Sequence, residues 1–217
     1  MVTKFDAVFF DFDGTIADTG EGIFSSVSYA IEAMGYNPLP HDRLRTFIGP
    51  PIFESFKREL GMNDEQSMQA VEKYRKKYSE NGIYKLEVYD GIKNLLKELK
   101  NSGIKVAIAS SKPEKFVIRI IDFLNLNNMI DFVAAPESDK APEGKTVLVE
   151  KAVNHFGVSK NRALMIGDRY FDIDGANGAG VESIGVTFGY GSEEELQNAG
   201  ATYIARNTEE IRRIIFS

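Results

Sequence analysis

Cysteine is absent from the 217-residue chain, which excludes disulfides, thiolate metal sites and a cysteine nucleophile. Histidine is scarce: only His41 and His155 occur. His155 lies beside Phe156 in a helical pattern and reads as a packing or surface residue, whereas His41 precedes a short helical stretch and reads as a helix-end residue. No apolar run reaches the length of a membrane span. The N-terminal apolar stretch is broken by Asp6 and Asp11 before it attains the length of a signal-peptide core. Bases are outnumbered by acids, 26 to 32, for a formal charge of −6, so no broad cationic face for nucleic acid or an anionic membrane is expected. The densest basic cluster, Lys73-Tyr74-Arg75-Lys76-Lys77, lies between Glu72 and Glu80 and reads as a solvated helix face. A reducing cytoplasm is the expected location, and a monomer the default state. What remains, 43% hydrophobic and 27% charged residues, is the composition of an ordinary folded domain.

The chain is organised around Phe9-Phe10-Asp11-Phe12-Asp13-Gly14-Thr15. A short apolar run from Ala7 to Phe10 has the length and aromatic content of a buried strand, and it stops at two acids separated by one residue. Asp-x-Asp-Gly by itself is also an ordinary turn. The rest of the chain decides between the two. Gly20 to Met34 carries Ile23, Val27, Ala30, Ile31 and Met34 at helical spacing and is closed by Gly35. Helical patterns follow at His41 to Phe47, Ile52 to Leu60 and Asp64 to Glu80, with no strand pattern before Leu86.

Beyond that block strands and helices alternate. The expected strands are Ile104–Ala109, Phe132–Ala135, Ala163–Ile166 and Ser183–Val186, with a final β-α pair. Between them are helices from Ile92, from Pro113 as a first helical residue, from Lys145 and from Asp172. This alternation predicts an α/β fold with a mostly parallel sheet and helices on both faces. The early helical block is then an insertion, joined by linkers near 15–22 and 83–91.

In a parallel sheet the carboxyl ends of the strands share one edge, where ligands bind. Asp11 and Asp13 after the first strand, Ser110 after the second, and Asp168 with Asp172 after a later one would meet there. Unneutralised, the acids repel one another and raise each other's pKa, a conflict that a cation resolves. Oxygen ligands without Cys or His favour a hard ion, Mg²⁺, over Zn²⁺.

Asp11-x-Asp13-Gly14-Thr15, Ser110 after a hydrophobic strand, a lysine at a helix start, and Gly167-Asp168-x-x-x-Asp172 together resemble the four ordered motifs of the haloacid dehalogenase-like hydrolase superfamily. The match spans essentially the whole chain. The insertion resembles the subclass with a small helical cap, and Arg45-x-x-Ile48-Gly49-Pro50-Pro51 resembles the cap signature of phosphoglycolate phosphatase-like and nucleotidase-like members. The resemblance implies a Rossmann-like core over 1–17 and 87–217 and a helical cap over 18–86.

It further implies a Mg²⁺-dependent phosphatase acting on a small phosphorylated metabolite. Asp11 is then the nucleophile that becomes an aspartyl phosphate, and Asp13 protonates the leaving alkoxide and afterwards activates water. Ser110, with Ser111 beside it, hydrogen-bonds the phosphoryl group. Lys145 neutralises charge at the nucleophile, with Lys112 and Lys140 as competitors for that role. Mg²⁺ is held by Asp11, the backbone carbonyl of Asp13 and Asp168, with Asp172 on its bound water. Gly14 and Thr15 shape the loop and aim backbone amides at phosphate, and Arg45 either reaches substrate or forms a structural ion pair. Two other readings share these residues: a phosphosugar mutase of the same superfamily, and a non-catalytic phosphoacceptor module resembling a response-regulator receiver.

Overall fold

The four residues of β1 (Ala7–Phe10) are all fully buried, as an apolar run without a polar face requires. The computed structural model of the chain describes residues 3–138 and 143–217; Lys140 lies outside the described residues. After β1 come β2 (Ala17–Asp18) and a run of helices, α1 (Gly20–Ala33), α2 (His41–Arg45), α3 (Ile52–Leu60) and α4 (Asp64–Glu80). A 3-10 turn at Gly82–Tyr84 leads to β3 (Glu87–Val88), which pairs with β2. Strands and helices then alternate: α5 (Ile92–Asn101), β4 (Lys105–Ala109), α6 (Glu114–Leu124), β5 (Phe132–Ala134), α7 (Lys145–Phe156), β6 (Ala163–Gly167), α8 (Tyr170–Ala179), β7 (Glu182–Val186), α9 (Glu193–Asn198), β8 (Tyr203–Ala205) and α10 (Thr208–Ile215). The chain divides into two compact units, Met1–Ala17 with Val88–Ser217, and Asp18–Glu87.

The first unit is built on a six-stranded sheet in the order β5-β4-β1-β6-β7-β8, every pair parallel. On one face Ala7, Phe9, Ala107, Ala109, Ala163 and Met165 pack with Leu148, Val149 and Ala152 of α7 and Ala176 and Ala179 of α8. The small residues on the strands let these helices sit close. Alternation sends Val8, Phe10, Val106, Ile108, Leu164 and Ile166 to the opposite face, all fully buried. Each such side chain withdrawn from water contributes roughly 1.5–3 kcal/mol.

Register matters most for function. Phe10 is level with Ile108 of β4 and with Ile166 of β6, so the residues that follow these three positions emerge at one edge of the sheet.

The helical unit encloses its own core. Ile23, Val27, Ala30 and Ile31 of α1 are buried, as are Val71, Tyr74 and Tyr78 of α4, and the two tyrosine rings stack at 5.5 Å. Phe47 meets Phe56 edge-on at 5.2 Å. Asn63 and Gln66 close a reciprocal cap at the start of α4, with bonds of 2.9 and 3.1 Å. Among the described residues no helix is long and apolar enough to cross a membrane.

Three local expectations are corrected. Pro113 is the residue before α6 rather than its first helical position; at φ −52°, ψ 135° it is extended, and Glu114 opens the helix by donating its N–H to the Pro136 carbonyl at 2.9 Å. The last long motif helix starts at Tyr170, not at Asp172, which places Asp172 in its first turn. The strands β2 and β3 are additional, each two residues long and too short to show a period.

Candidate active site

Asp11 leaves β1 with its N–H bonded to the Ile166 carbonyl at 2.8 Å, so the residue is held as an extension of the sheet. Its side chain meets Lys145, whose Nζ lies 2.8 Å from Asp11 Oδ1, 2.7 Å from Asp172 Oδ1 and 3.0 Å from the carbonyl oxygen of Ala109. The ammonium thus lies among two carboxylate oxygens and one carbonyl oxygen. Lys145 is the first residue of α7, and its stem crosses α8 at Gly175, where a β-carbon would stand 2.3 Å from Lys145 Cγ. Burial alone pulls the ammonium pKa down, but the flanking carboxylates of Asp11 and Asp172 more than reverse this, and the pKa stands above its ordinary value. Lys145 is a fixed positive charge.

Asp13 carries the second acid of the loop, and Lys112 Nζ lies 3.0 Å from its Oδ2. The turn between Phe12 and Ala17 is tied internally: Gly14 N–H donates to the Ala17 carbonyl at 2.9 Å and Thr15 N–H to the Phe12 carbonyl at 3.3 Å. This corrects the expectation that these two amides are aimed at phosphate, because both already have acceptors within the loop. The loop-shaping role remains, and Gly14 takes it at φ +85°. Thr15 is fully buried, with no hydrogen-bond partner for Oγ1 among the described residues.

Ser110 follows β4 and donates its backbone N–H to the Ala134 carbonyl at 3.1 Å. Its Oγ accepts a long bond of 3.4 Å from Lys112 N–H, and the hydroxyl proton remains available to donate. Ser110 does not cap α6, whose cap is Pro113. Ser111 is half-buried beside it.

Asp168 and Asp172 are fully buried after β6. Asp172 Oδ2 accepts the N–H groups of Asp168 at 3.1 Å and Arg169 at 3.0 Å, closing the turn that leads into α8. Asp168 Oδ2 accepts the Tyr190 N–H at 2.7 Å, whereas Asp168 Oδ1 has no hydrogen-bond partner among the described residues. Burial, then Asp172 and Asp11, raise the Asp168 pKa well above the carboxylate range. Burial likewise raises Asp172, partly opposed by Lys145, so that its pKa is pushed up to about 6.

Asp11, Asp168 and Asp172 offer oxygens all within 4.8 Å of one another. The set fits a hard divalent cation: the donors are all carboxylate, and a buried Asp168 oxygen lacks a hydrogen-bond partner among the described residues. Charge agrees: the three clustered carboxylates of Asp11, Asp168 and Asp172 share the Lys145 ammonium, an excess of negative charge that one divalent ion would offset.

Elsewhere, Arg45 is exposed at the end of α2 in the helical unit. His41 begins α2 and meets Phe24 edge-on at 5.1 Å, and His155 stacks on Phe132 at 3.8 Å. The segment 187–191, which supplies the Tyr190 N–H, was legible in the sequence only as a glycine-rich turn after a strand.

A profile of the family described as haloacid dehalogenase-like hydrolase matches residues 8–186. The chain belongs to the haloacid dehalogenase-like hydrolases. A 5'-nucleotidase of Pseudomonas aeruginosa is 33% identical over 99% of this chain and 97% of that protein. A tyrosine-protein kinase of Mycobacterium tuberculosis, PtkA, is 32% identical over 96% of this chain and 72% of that protein. The crystal structure of a predicted phosphatase from Clostridium acetobutylicum superposes with a TM-score of 0.91 at 35% identity, covering 96% of this chain and 97% of the other. The parallel sheet flanked by helices is thus the Rossmann-like core of this family. The expected reaction class, phosphoric monoester hydrolysis, agrees with the phosphatase and nucleotidase names among these relatives.

Proposed function

We propose that this hydrolase cleaves small phosphomonoesters in two steps through an aspartyl phosphate on Asp11. The observation that carries the reading is the Asp11 carboxylate held at 2.8 Å by Lys145, which fixes one oxygen and leaves the other to attack phosphorus. The phosphorus–alkoxide bond breaks as the phosphorus–Oδ bond forms, and Asp13 gives its proton to the departing oxygen. Asp13, now a carboxylate, takes a proton from water as that water attacks phosphorus, the phosphorus–Oδ bond breaks, and inorganic phosphate leaves with the Asp11 carboxylate restored. Ser110 donates its hydroxyl hydrogen to a phosphoryl oxygen, and Lys145 offsets charge on the same group.

Mg²⁺ fits the oxygens of Asp11, Asp168 and Asp172 and, when bound, supplies electrophilic stabilisation of the phosphoryl oxygens. Residues of the inserted helical unit, Arg45 among them, are assigned the selection of the leaving group.

The test is phosphate release from a panel of nucleoside monophosphates, phosphoglycolate, sugar phosphates, pyrophosphate and p-nitrophenyl phosphate with Mg²⁺. Release from at least one monoester, lost in Asp11→Asn, is expected. Incubation with ATP and a tyrosine-containing polypeptide covers the reaction that the kinase relative is named for. Transfer to tyrosine without monoester hydrolysis would overturn the proposal, as would sugar phosphate isomerisation without phosphate release.

A further inference from the structure

Asp168 Oδ2 accepts a backbone N–H from Tyr190, in the segment that follows β7. Residues 187–191 leave β7 with the Thr187 N–H bonded to the Ala205 carbonyl at 3.1 Å and then run against Asp168 without spare room. A β-carbon on Gly189 would stand 2.3 Å from the Gly14 carbonyl oxygen and 2.4 Å from Asp168 Oδ2, and one on Gly191 would stand 2.1 Å from the Asp168 carbonyl oxygen. The Tyr190 ring borders Gly14, where an added β-carbon would meet its Cδ2 at 2.7 Å. The position of Asp168 is therefore tied to the path of this segment.

Phe188, in the same segment, packs against Tyr89. Its ring lies 4.9 Å from that of Tyr89, tilted by 56°, within the favourable range for an aromatic pair. Tyr89 in turn donates its N–H to the Ile16 carbonyl at 3.1 Å, and Ile16 belongs to the turn that carries Asp13 and Gly14. The contacts close a ring: Asp168 to Tyr190, along the chain to Phe188, across to Tyr89, across to Ile16, and back through Gly14 to Asp168. Beside the aromatic pair is a cavity of about 370 Å³ lined by Asp90, Gly91, Arg206, Asn207 and Thr208 as well as by the two rings. The two rings thus meet each other at the rim of this cavity.

We infer that Phe188 and Tyr89 are positioning residues for the metal site: their ring contact sets the 187–191 segment and thereby the reach of the Asp168 carboxylate. This rests on the reading that Asp168 is a metal ligand. Outer partners of metal ligands typically change metal affinity by about ten- to a hundredfold when removed, and the indirect path through Phe188 places this pair at the lower end.

Magnesium titrated calorimetrically into the full chain tests it without reference to turnover. Phe188→Ala and Tyr89→Ala are each expected to weaken Mg²⁺ binding by about tenfold. The double variant is expected to bind no more weakly than the weaker single variant, since one contact cannot be lost twice. Arg206→Ala, which borders the cavity but stands outside the ring of contacts, leaves the affinity unchanged. Far-UV circular dichroism establishes that each variant is folded, and Tyr89→Ala carries the test should Phe188→Ala fail to fold. Wild-type affinity in the folded variants overturns the inference alone, as does strict additivity of the two losses. Wild-type protein that binds no Mg²⁺, or an Asp168→Asn variant that binds it as well as wild type, overturns the metal-site reading and this inference with it.

Discussion

Lys112 and Asp13 face each other at 3.0 Å, ammonium against Oδ2, with both side chains almost enclosed. The pair joins the end of β4 to the loop after β1 and gives Asp13 a cation of its own, separate from the one at Asp11. Removing one partner of a buried pair leaves the other charge uncompensated, typically at about 3–5 kcal/mol. Lys112→Met is therefore expected to lower stability by about 3 kcal/mol. Asp13→Asn on that background should recover part of the loss. Urea unfolding of the two single variants and the double variant measures the cycle.

Lys145 has no substitute at Asp11 among the described residues near it. Lys145→Met leaves Asp11 and Asp172 without their shared ammonium. Turnover is expected to fall by about 10²–10³, the usual effect of deleting one group that stabilises developing charge. Steady-state kinetics at saturating Mg²⁺ separates this from weakened metal binding.

Gly175 of α8 is where the Lys145 stem crosses, and a β-carbon there would be 2.3 Å from Lys145 Cγ and 3.1 Å from the backbone carbon of the same residue. Gly175→Ala is expected to displace the lysine and to destabilise the chain by about 1–3 kcal/mol through overpacking. The same substitution at Gly180, whose site has only Lys160 Cδ nearby at 3.6 Å, lacks the steric cause. Thermal denaturation and activity of Gly175→Ala test this together: a stable, fully active variant would contradict it.

The pH dependence of the metal-free chain has a definite sign. Asp172, with its pKa pushed up from 3.8 to about 6 by burial, and Asp168, also raised well above 3.8 chiefly by burial, bind protons more tightly folded than unfolded. Their protonation contributes stability that is complete below the unfolded value of 3.8 and is lost as pH rises through about 6 and above. Asp131 goes the other way. Burial opposes its ionisation, but Lys100 and the Val106 N–H outweigh that and lower its pKa, so its contribution is lost as pH falls below 3.8. Without metal, stability should decline from pH 5 to pH 8, and Mg²⁺ should reverse the decline because it competes with protons for the same oxygens. Thermal melts with EDTA and with Mg²⁺ across this range are the measurement.

Much of the fold could be read from periodicity. The strands β1 and β6 are apolar runs of four or five residues and β4 is one after Lys105, and a run of that kind followed by a helical pattern leaves few topologies open. The pair β2–β3 could not be read because two residues have no period. Pro113 was misplaced by one position, since a proline at a helix start satisfies the same local rule whether it is cap or first turn. The candidate site was legible as far as strand-end acids and motif spacing reach. The sequence ranks Lys145, Lys112 and Lys140 by helix position alone, whereas the structure distributes the first two between Asp11 and Asp13, a distinction set by side-chain reach. Gly175, Phe188 and Tyr190 act across space on residues distant in the chain, and no spacing rule marks them.

Acid quenching during turnover of a radiolabelled phosphomonoester with Mg²⁺, followed by peptide mapping, tests the central claim most directly. The account predicts acid-stable, hydroxylamine-sensitive label on the peptide containing Asp11, absent from Asp11→Asn. Sustained hydrolysis with no label on that peptide, or undiminished turnover by Asp11→Asn, would contradict it.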